Sequence, residues 1–203
     1  MNEKITVYGD SISGNCYKIK LVCSELGIDY EWRELDILAG ATRTPEFLAM
    51  NPNGKIPLLE LADGRYLAES NAILCYLAEG SELAGADRFE RARVLQWMFF
   101  EQYSHEPYIA TSRFVVRYLG NPPERQADLD QKRVAGYKAL GIMDRQLLQS
   151  PFIAGEKFTL ADIALFAYTH VAGEGGFDLG SCRGIEAWFG RIMSRADYEP
   201  MYS

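Results

Sequence analysis

Long apolar runs are missing from this chain: no window of its 203 residues approaches eighteen uninterrupted apolar side chains, which excludes a membrane-crossing helix. Excess positive charge is missing as well. With 28 acidic against 21 basic residues the net charge is −7, and neither nucleic acid nor an anionic membrane surface is attracted by a negative field. An export signal is absent, since "MNEKITVYG" runs straight into an alternating strand pattern, so the expected compartment is the cytoplasm. The only cysteines are Cys16, Cys23, Cys75 and Cys182, with no C-x-x-C pair, and only His105 and His170 could join them. That spacing makes neither a zinc site, nor a redox dithiol, nor a disulfide framework. No metal is expected, and any cysteine chemistry is that of a single thiol. Internal repeats and low-complexity segments are also lacking. What is present is ordinary for a folded protein: 48% of the residues are apolar and 24% charged, enough for one or two compact units with real cores.

The first eighty residues alternate between the strand and helix periods. "KITVYG" reads as a strand. From Asn15 to Leu26, Cys16, Ile19, Val22, Cys23 and Leu26 follow helical spacing, and Gly27 supplies a left-handed stop. "YEWRELD" is a second strand, parallel to the first because a helix-length crossover joins them. "TPEFLAM" is a short helix capped by Thr44 with Pro45 in its first turn. "KIPLLEL" and "RYLAE" flank the turn signal "ADG" and form an antiparallel hairpin. "ESNAILCYLAEG" is then a helix starting at Glu69 or Ser70 and closed by Gly80. After "GSELAGAD" the pattern is helical, with no strand run longer than "PFIAG". Asp87 and Glu90 open a long helix reaching about Leu119, which Pro107 should kink or interrupt. A second long helix is expected from about Glu124 to Gln149. "FTLADIALF" starts a third, with Thr159 as cap, Asp162 three residues on, and Phe158 able to staple to Ile163. "GEGGFDLG" is a loop and "GIEAWFGRIMSR" a final amphipathic helix.

This order, β-α-β-α-β-β-α followed by helices, carries "NPNGKIP" before the hairpin, "ES" opening the next helix and the late "FTLADIALF" box. Over essentially the whole chain it resembles the cytosolic glutathione S-transferases, in particular bacterial, serine-type or related members. The resemblance implies an α/β plus all-α fold. Residues 1–79 would form a thioredoxin-like glutathione-binding domain, 80–87 a linker, and 88–203 a helical domain contributing the electrophile pocket. In this family the proline of "KIP" is cis and the residue before it offers its backbone N–H and C=O to the cysteinyl part of glutathione, a role that falls to Ile56 and Pro57. Glu69 and Ser70 would receive the γ-glutamyl end, where a helix N-terminus favours a carboxylate and the acid can meet an ammonium. Lys55, and more loosely Arg43, match positions that meet the glycine carboxylate. As plain residues, Glu69 and Ser70 also read as a helix start, Pro57 as an edge proline, and Lys55 and Arg43 as solvated charges.

Thiol activation is the task the resemblance implies for "SISGNCYKIK". A free thiol titrates at about 8.5 and is mostly protonated near neutrality. One hydrogen bond to a charged group is worth roughly 1.5–3 kcal/mol, or about one to two pKa units, so a single hydroxyl suffices. Ser13, three residues before Cys16, reproduces the spacing of the serine-type members and is the first choice. Ser13 and Asn15 also match a threonine and asparagine two apart in some bacterial relatives. Cys16 falls where cysteine-type members carry a residue that forms a mixed disulfide with glutathione, yet it lies on the apolar stripe with Ile19, Cys23 and Leu26 and reads equally as packing. Ser13 or Asn15 alone could be an N-cap. Tyr8 lies within the strand, which sets a tyrosine mechanism aside.

The electrophile pocket is expected between the domains, with Ile12 from the first turn and His105, Tyr108 and Arg113 from "EQYSHEPYIATSRF"; the same residues also read as interhelical contacts. The implied protein is a cytoplasmic detoxification enzyme, a homodimer that conjugates glutathione to a soft hydrophobic electrophile without a metal. Glutathione-dependent peroxide or disulfide reduction is the alternative reaction. A non-catalytic ligand-binding or regulatory protein on the same fold is the alternative of another class.

Overall fold

The computed structural model describes residues 4–202, so Met1–Glu3 and Ser203, at the outer limits of the two expected domains, lie outside the described residues. Two compact units are present, one running to Glu79 and joined by the chain from Asp197 onward, the other spanning Gly80–Ala196. Residues 80–87 thus cluster with the helical unit, and the C-terminal segment returns to the first. That return is held by Tyr17, whose hydroxyl donates to the Glu199 carbonyl at 2.6 Å, and by Ser24, which donates to that of Asp197 at 2.9 Å.

The first unit holds strands β1 (Ile5–Gly9), β2 (Tyr30–Glu34), β3 (Leu58–Glu60) and β4 (Tyr66–Ala68) in the order β2-β1-β3-β4, with β1 and β2 parallel and the other pairs antiparallel. Helices α1 (Gly14–Leu26), α2 (Pro45–Met50) and α3 (Ser70–Leu77) complete it. Local chemistry sets their ends. Gly27 at φ 61° ends α1, and the Ile28 N–H returns to the Cys23 carbonyl at 2.9 Å, the backbone closure that a left-handed C-terminal residue permits. The Thr44 hydroxyl accepts the Phe47 N–H at 3.2 Å and starts α2. Val7, Cys16, Ile19, Val22, Leu58, Leu59, Ile73 and Leu74 are buried between sheet and helices.

The helical unit contains α4 (Arg88–Phe100), α5 (Glu106–Arg113), α6 (Gln126–Leu147), α7 (Leu160–Thr169) and α8 (Arg183–Met193). Asp87 caps α4, its Oδ1 accepting the N–H groups of Phe89 at 2.7 Å and Glu90 at 2.9 Å. The expected interruption at Pro107 is a π-helical turn over Glu101–His105, and a second such turn covers Phe114–Tyr118. A wide turn absorbs the N–H that proline lacks without breaking the run. "PFIAG" forms only an isolated bridge, Phe152 to Gly155. The Phe158 ring packs edge-to-face on Phe152 under the Arg195 guanidinium. The unit centres on Asp162, fully buried, which accepts from Ile153 N–H (2.8 Å), Trp188 Nε1 (2.9 Å), Thr159 N–H (2.9 Å) and the Thr159 hydroxyl (3.2 Å). Among the described residues no helix is long and apolar enough to cross a membrane.

Candidate active site

Strand register assembles the site from distant segments. Tyr8, one residue before the end of β1, pairs with Leu58 at the start of β3, and Leu58 pairs with Ala68 at the end of β4. The turn into α1, the Ile56–Pro57 peptide and the Glu69–Ser70 pair therefore emerge at one end of the sheet, because two antiparallel pairings reverse the chain twice.

The turn into α1 is tightly braced. Asp10 accepts the Ile12 N–H on Oδ1 at 2.9 Å and the Ser13 N–H on its carbonyl at 3.0 Å, while Glu34 Oε1 accepts both the N–H (2.9 Å) and the hydroxyl (3.1 Å) of Ser11. Ser13 occupies the N-cap position with an extended backbone, yet its side chain makes no capping bond. It hydrogen-bonds instead to the Cys16 side chain, one turn along. Cys16 is fully buried. Its Sγ and the Trp32 ring crowd Gly9, where an added Cβ would lie 2.9 Å from the sulfur and 2.7 Å from the indole, so only glycine lets strand and helix approach this closely here. Burial pushes the Cys16 thiol up to about 12, and hydrogen bonds from the Asp10 backbone and the Ser13 side chain pull it back only in part. The thiol is enclosed and protonated. Tyr8 is turned to other work: its hydroxyl donates to Glu60 at 2.7 Å, and burial followed by that carboxylate raises it to about 12.

At the start of α3, Glu69 is exposed and holds φ 69°, a left-handed conformation in a residue with a Cβ. Such backbone costs of order 1–3 kcal/mol and clusters at ligand sites. Ser70 beside it is buried, and its hydroxyl donates to Asn15 Oδ1 at 3.1 Å. That bond ties the N-terminus of α3 to the first turn of α1. Behind it sits Lys18, fully buried, with Nζ 3.3 Å from Ser70 Oγ and 3.4 Å from Asn71 Oδ1.

The "NPNGKIP" loop is organised by Asn51, a buried residue whose Nδ2 donates to the Lys55 carbonyl at 2.8 Å and whose Oδ1 accepts the Asn53 N–H at 3.1 Å. Gly54, at φ 60°, lets the chain turn beneath Arg43: a Cβ would come within 2.5 Å of its guanidinium. Arg43 donates to the Asn53 carbonyl at 3.4 Å, so it and the exposed Lys55 flank the same turn. The Ile56–Pro57 bond is cis.

Ser13, Asn15, Ile56, Pro57, Glu69 and Ser70 thus share one end of the sheet in the first unit, with Arg43 and Lys55 on the adjoining loop. In the helical unit His105 is fully buried with Nε2 2.9 Å from the Thr169 hydroxyl, and Arg113, 1% exposed, donates to Glu174 at 2.8 Å. Ile12 and Tyr108 are half-buried. Among the described residues no group of three His, Cys, Asp or Glu side chains is placed to hold a metal ion. Two residues escaped sequence reasoning, Lys18 and Asn51. Nothing local singled out Lys18, one of two lysines in α1 and off its apolar stripe.

Comparison with known proteins identifies the family. Residues 12–79 match the family Glutathione S-transferase, N-terminal domain, and residues 96–196 match Glutathione S-transferase, C-terminal domain. The chain is 55% identical to a glutathione S-transferase from Pseudomonas fluorescens Pf-5, whose crystal structure superposes with a TM-score of 0.96 over 98% of this chain and 99% of that one. It is 31% identical to the disulfide-bond oxidoreductase YfcG of Escherichia coli, with 89% of this chain and 86% of that protein covered. Glutathione S-transferase F10 of Arabidopsis thaliana is 32% identical over 86% of each chain.

Proposed function

We propose a transferase reaction from one premise: this chain belongs to the glutathione S-transferase family, and is thereby a glutathione-binding enzyme. The reaction is attack of the glutathione thiolate on a soft hydrophobic electrophile. Ser13 donates its hydroxyl to that thiolate, Glu69 and Ser70 hold the γ-glutamyl end, the Ile56 backbone pairs with the cysteinyl part, and Lys55 with Arg43 meets the glycine carboxylate. The observation that carries the reading is the union of these segments at one end of the sheet, closed by the Ser70–Asn15 hydrogen bond.

Ser13 is favoured over Cys16 because its hydroxyl is not spent on capping the helix and already lowers the one sulfur it hydrogen-bonds, that of Cys16, as it would a glutathione sulfur, whereas a fully buried thiol at about 12 is neither a nucleophile nor open to a mixed disulfide. Of the residues expected to meet the electrophile, His105 and Arg113 are engaged inside the helical unit, which leaves Tyr108 as that unit's candidate and Ile12 as the first unit's. Glutathione-dependent disulfide or peroxide reduction is a second reading, supported by the likeness to an oxidoreductase and by the fixed Asn15 carboxamide; it would use the same activated thiol. The enzyme acts as a cytoplasmic homodimer in detoxification. Leu95 and Phe99, one helical turn apart on α4 and 43% and 64% exposed, continue into Tyr103 at 81% and supply an apolar stripe for that association.

Titrating the bound thiol by its thiolate absorbance tests the assignment. Ser13→Ala should raise the pKa of bound glutathione by about one to two units, the loss of one charge-assisted hydrogen bond. An unchanged titration would remove Ser13 from the role. A panel of conjugation, peroxide and disulfide substrates separates the two reactions.

A further inference from the structure

The helical unit holds a cavity of about 550 Å³, where the start of α4, the end of α6 and the chain leading into α7 meet. None of its lining residues belongs to the site described above. The volume lies within the range of about 300–1,000 Å³ usual for small-molecule sites. Its wall carries four carboxylates, Glu82, Asp87, Glu90 and Glu156, against two cations, Arg93 and Lys157. Most of these charges are already engaged: Glu82 pairs with Lys157 at 3.3 Å, Asp87 caps α4, and Glu90 Oε2 accepts the Ala86 N–H at 2.9 Å. Arg93 and Glu156 differ. Among the described residues no acid pairs with the Arg93 guanidinium, whose Nε is shut off from solvent without a hydrogen-bond partner, and no cation pairs with Glu156. A buried N–H without an acceptor carries a desolvation penalty, and the acceptor that suits a guanidinium best is a carboxylate held by two parallel bonds.

We propose that this cavity binds short peptides with free termini, the C-terminal carboxylate on Arg93 and the N-terminal ammonium on Glu156. The balance of charge selects that class. A simple anion such as phosphate would find the guanidinium but would be repelled by the surplus of carboxylates around it, and a simple cation would meet the guanidinium itself. A molecule with a carboxylate at one end and an ammonium at the other satisfies both unengaged groups at once. Phe89, 70% exposed, and the buried Val94 add apolar wall for a side chain between the termini. A single amino acid would leave much of the volume to water, whereas a short peptide fills more of it. No residue of the glutathione site enters this argument, so the proposal stands whatever becomes of that reading.

The experiment is calorimetric titration of the protein with the dipeptide L-alanyl-L-phenylalanine, its C-terminal amide and its N-acetyl derivative, in wild type, Arg93→Gln and Glu156→Gln. The free dipeptide should bind wild type saturably, and the amide should bind about tenfold more weakly, the loss of one charge-assisted pair with the guanidinium. Arg93→Gln should weaken the free dipeptide by a similar factor and should no longer tell it from the amide, because both changes remove the same interaction. At the other end Glu156 is exposed, so acetylating the dipeptide or substituting Glu156→Gln should each cost only about two- to fivefold, and together no more than either alone. A wild type that shows no saturable binding, that binds acid and amide alike, or whose preference for the acid survives undiminished in Arg93→Gln overturns the proposal. Should Arg93→Gln fail to fold, the exposed Glu156→Gln carries the same comparison, and an undiminished preference for the free amine over the N-acetyl form in that variant overturns it equally.

Discussion

Replacing Asp162 by alanine should cost the helical unit about 3–5 kcal/mol. At pH 8 the carboxyl is ionised, since burial raises it only to about 6, and it accepts four hydrogen bonds. Three come from N–H groups that have little access to water: Ile153 and Trp188 are fully buried and Thr159 is 6% exposed. Removing their acceptor leaves each donor with a desolvation penalty of about 1–3 kcal/mol, part of which water entering the vacated space recovers. Asp162→Asn refines the estimate. Oδ1 serves Ile153 and Trp188 whereas Oδ2 serves both bonds from Thr159, so asparagine with its oxygen at Oδ1 keeps the first pair and sets an NH2 against the Thr159 N–H. Its loss should be about half that of alanine. Urea unfolding followed by tryptophan fluorescence measures both, with Trp188 beside the mutated site. A loss under about 1 kcal/mol for alanine, or asparagine as damaging as alanine, would refute the reasoning.

Three further outcomes are expected. The Cys16 thiol, held at about 12 by burial against about 8.5 when unfolded, keeps its proton in the folded state above pH 8.5 while the unfolded chain loses it, so its contribution to stability declines as pH rises. Urea midpoints should therefore show the gap between wild type and Cys16→Ala narrowing from pH 8 to pH 10. His170, lowered to about 4 by burial and stacked on Phe166 with Nδ1 2.7 Å from the Phe166 carbonyl, acts oppositely: its contribution is intact above pH 6.5 and is lost as pH falls toward 4. His170→Gln should lack that acid-side loss, and identical acid profiles for the two proteins would contradict it. Finally, Phe99→Glu places a charge in the exposed α4 stripe, and sedimentation should show a dimeric wild type and a largely monomeric variant; two monomers would end the homodimer proposal.

The linear sequence carried most of the fold, because the signals concerned are local. Gly27, Thr44 and Asp87 end or begin helices through bonds to residues at most four positions away, and the strand periods of Ile5–Gly9 and Tyr30–Glu34 follow from side chains alternating along a pleat. The motifs "NPNGKIP" and "ES" marked the site for the same reason: each is a contiguous stretch whose chemistry does not wait for a distant partner. Tertiary structure decided what depends on burial and direction. Whether Cys16 is a nucleophile or packing turned on the Trp32 indole and Gly9 closing over it, neither of which is its neighbour in the chain. Two π-helical turns in place of a break at Pro107 reflect packing that rewards continuity over ideal geometry. Lys18 is the clearest case: in sequence it is one more charged residue, and only the approach of α3, fifty-two residues further on, turns its ammonium toward Ser70 and, through that hydroxyl, toward Asn15.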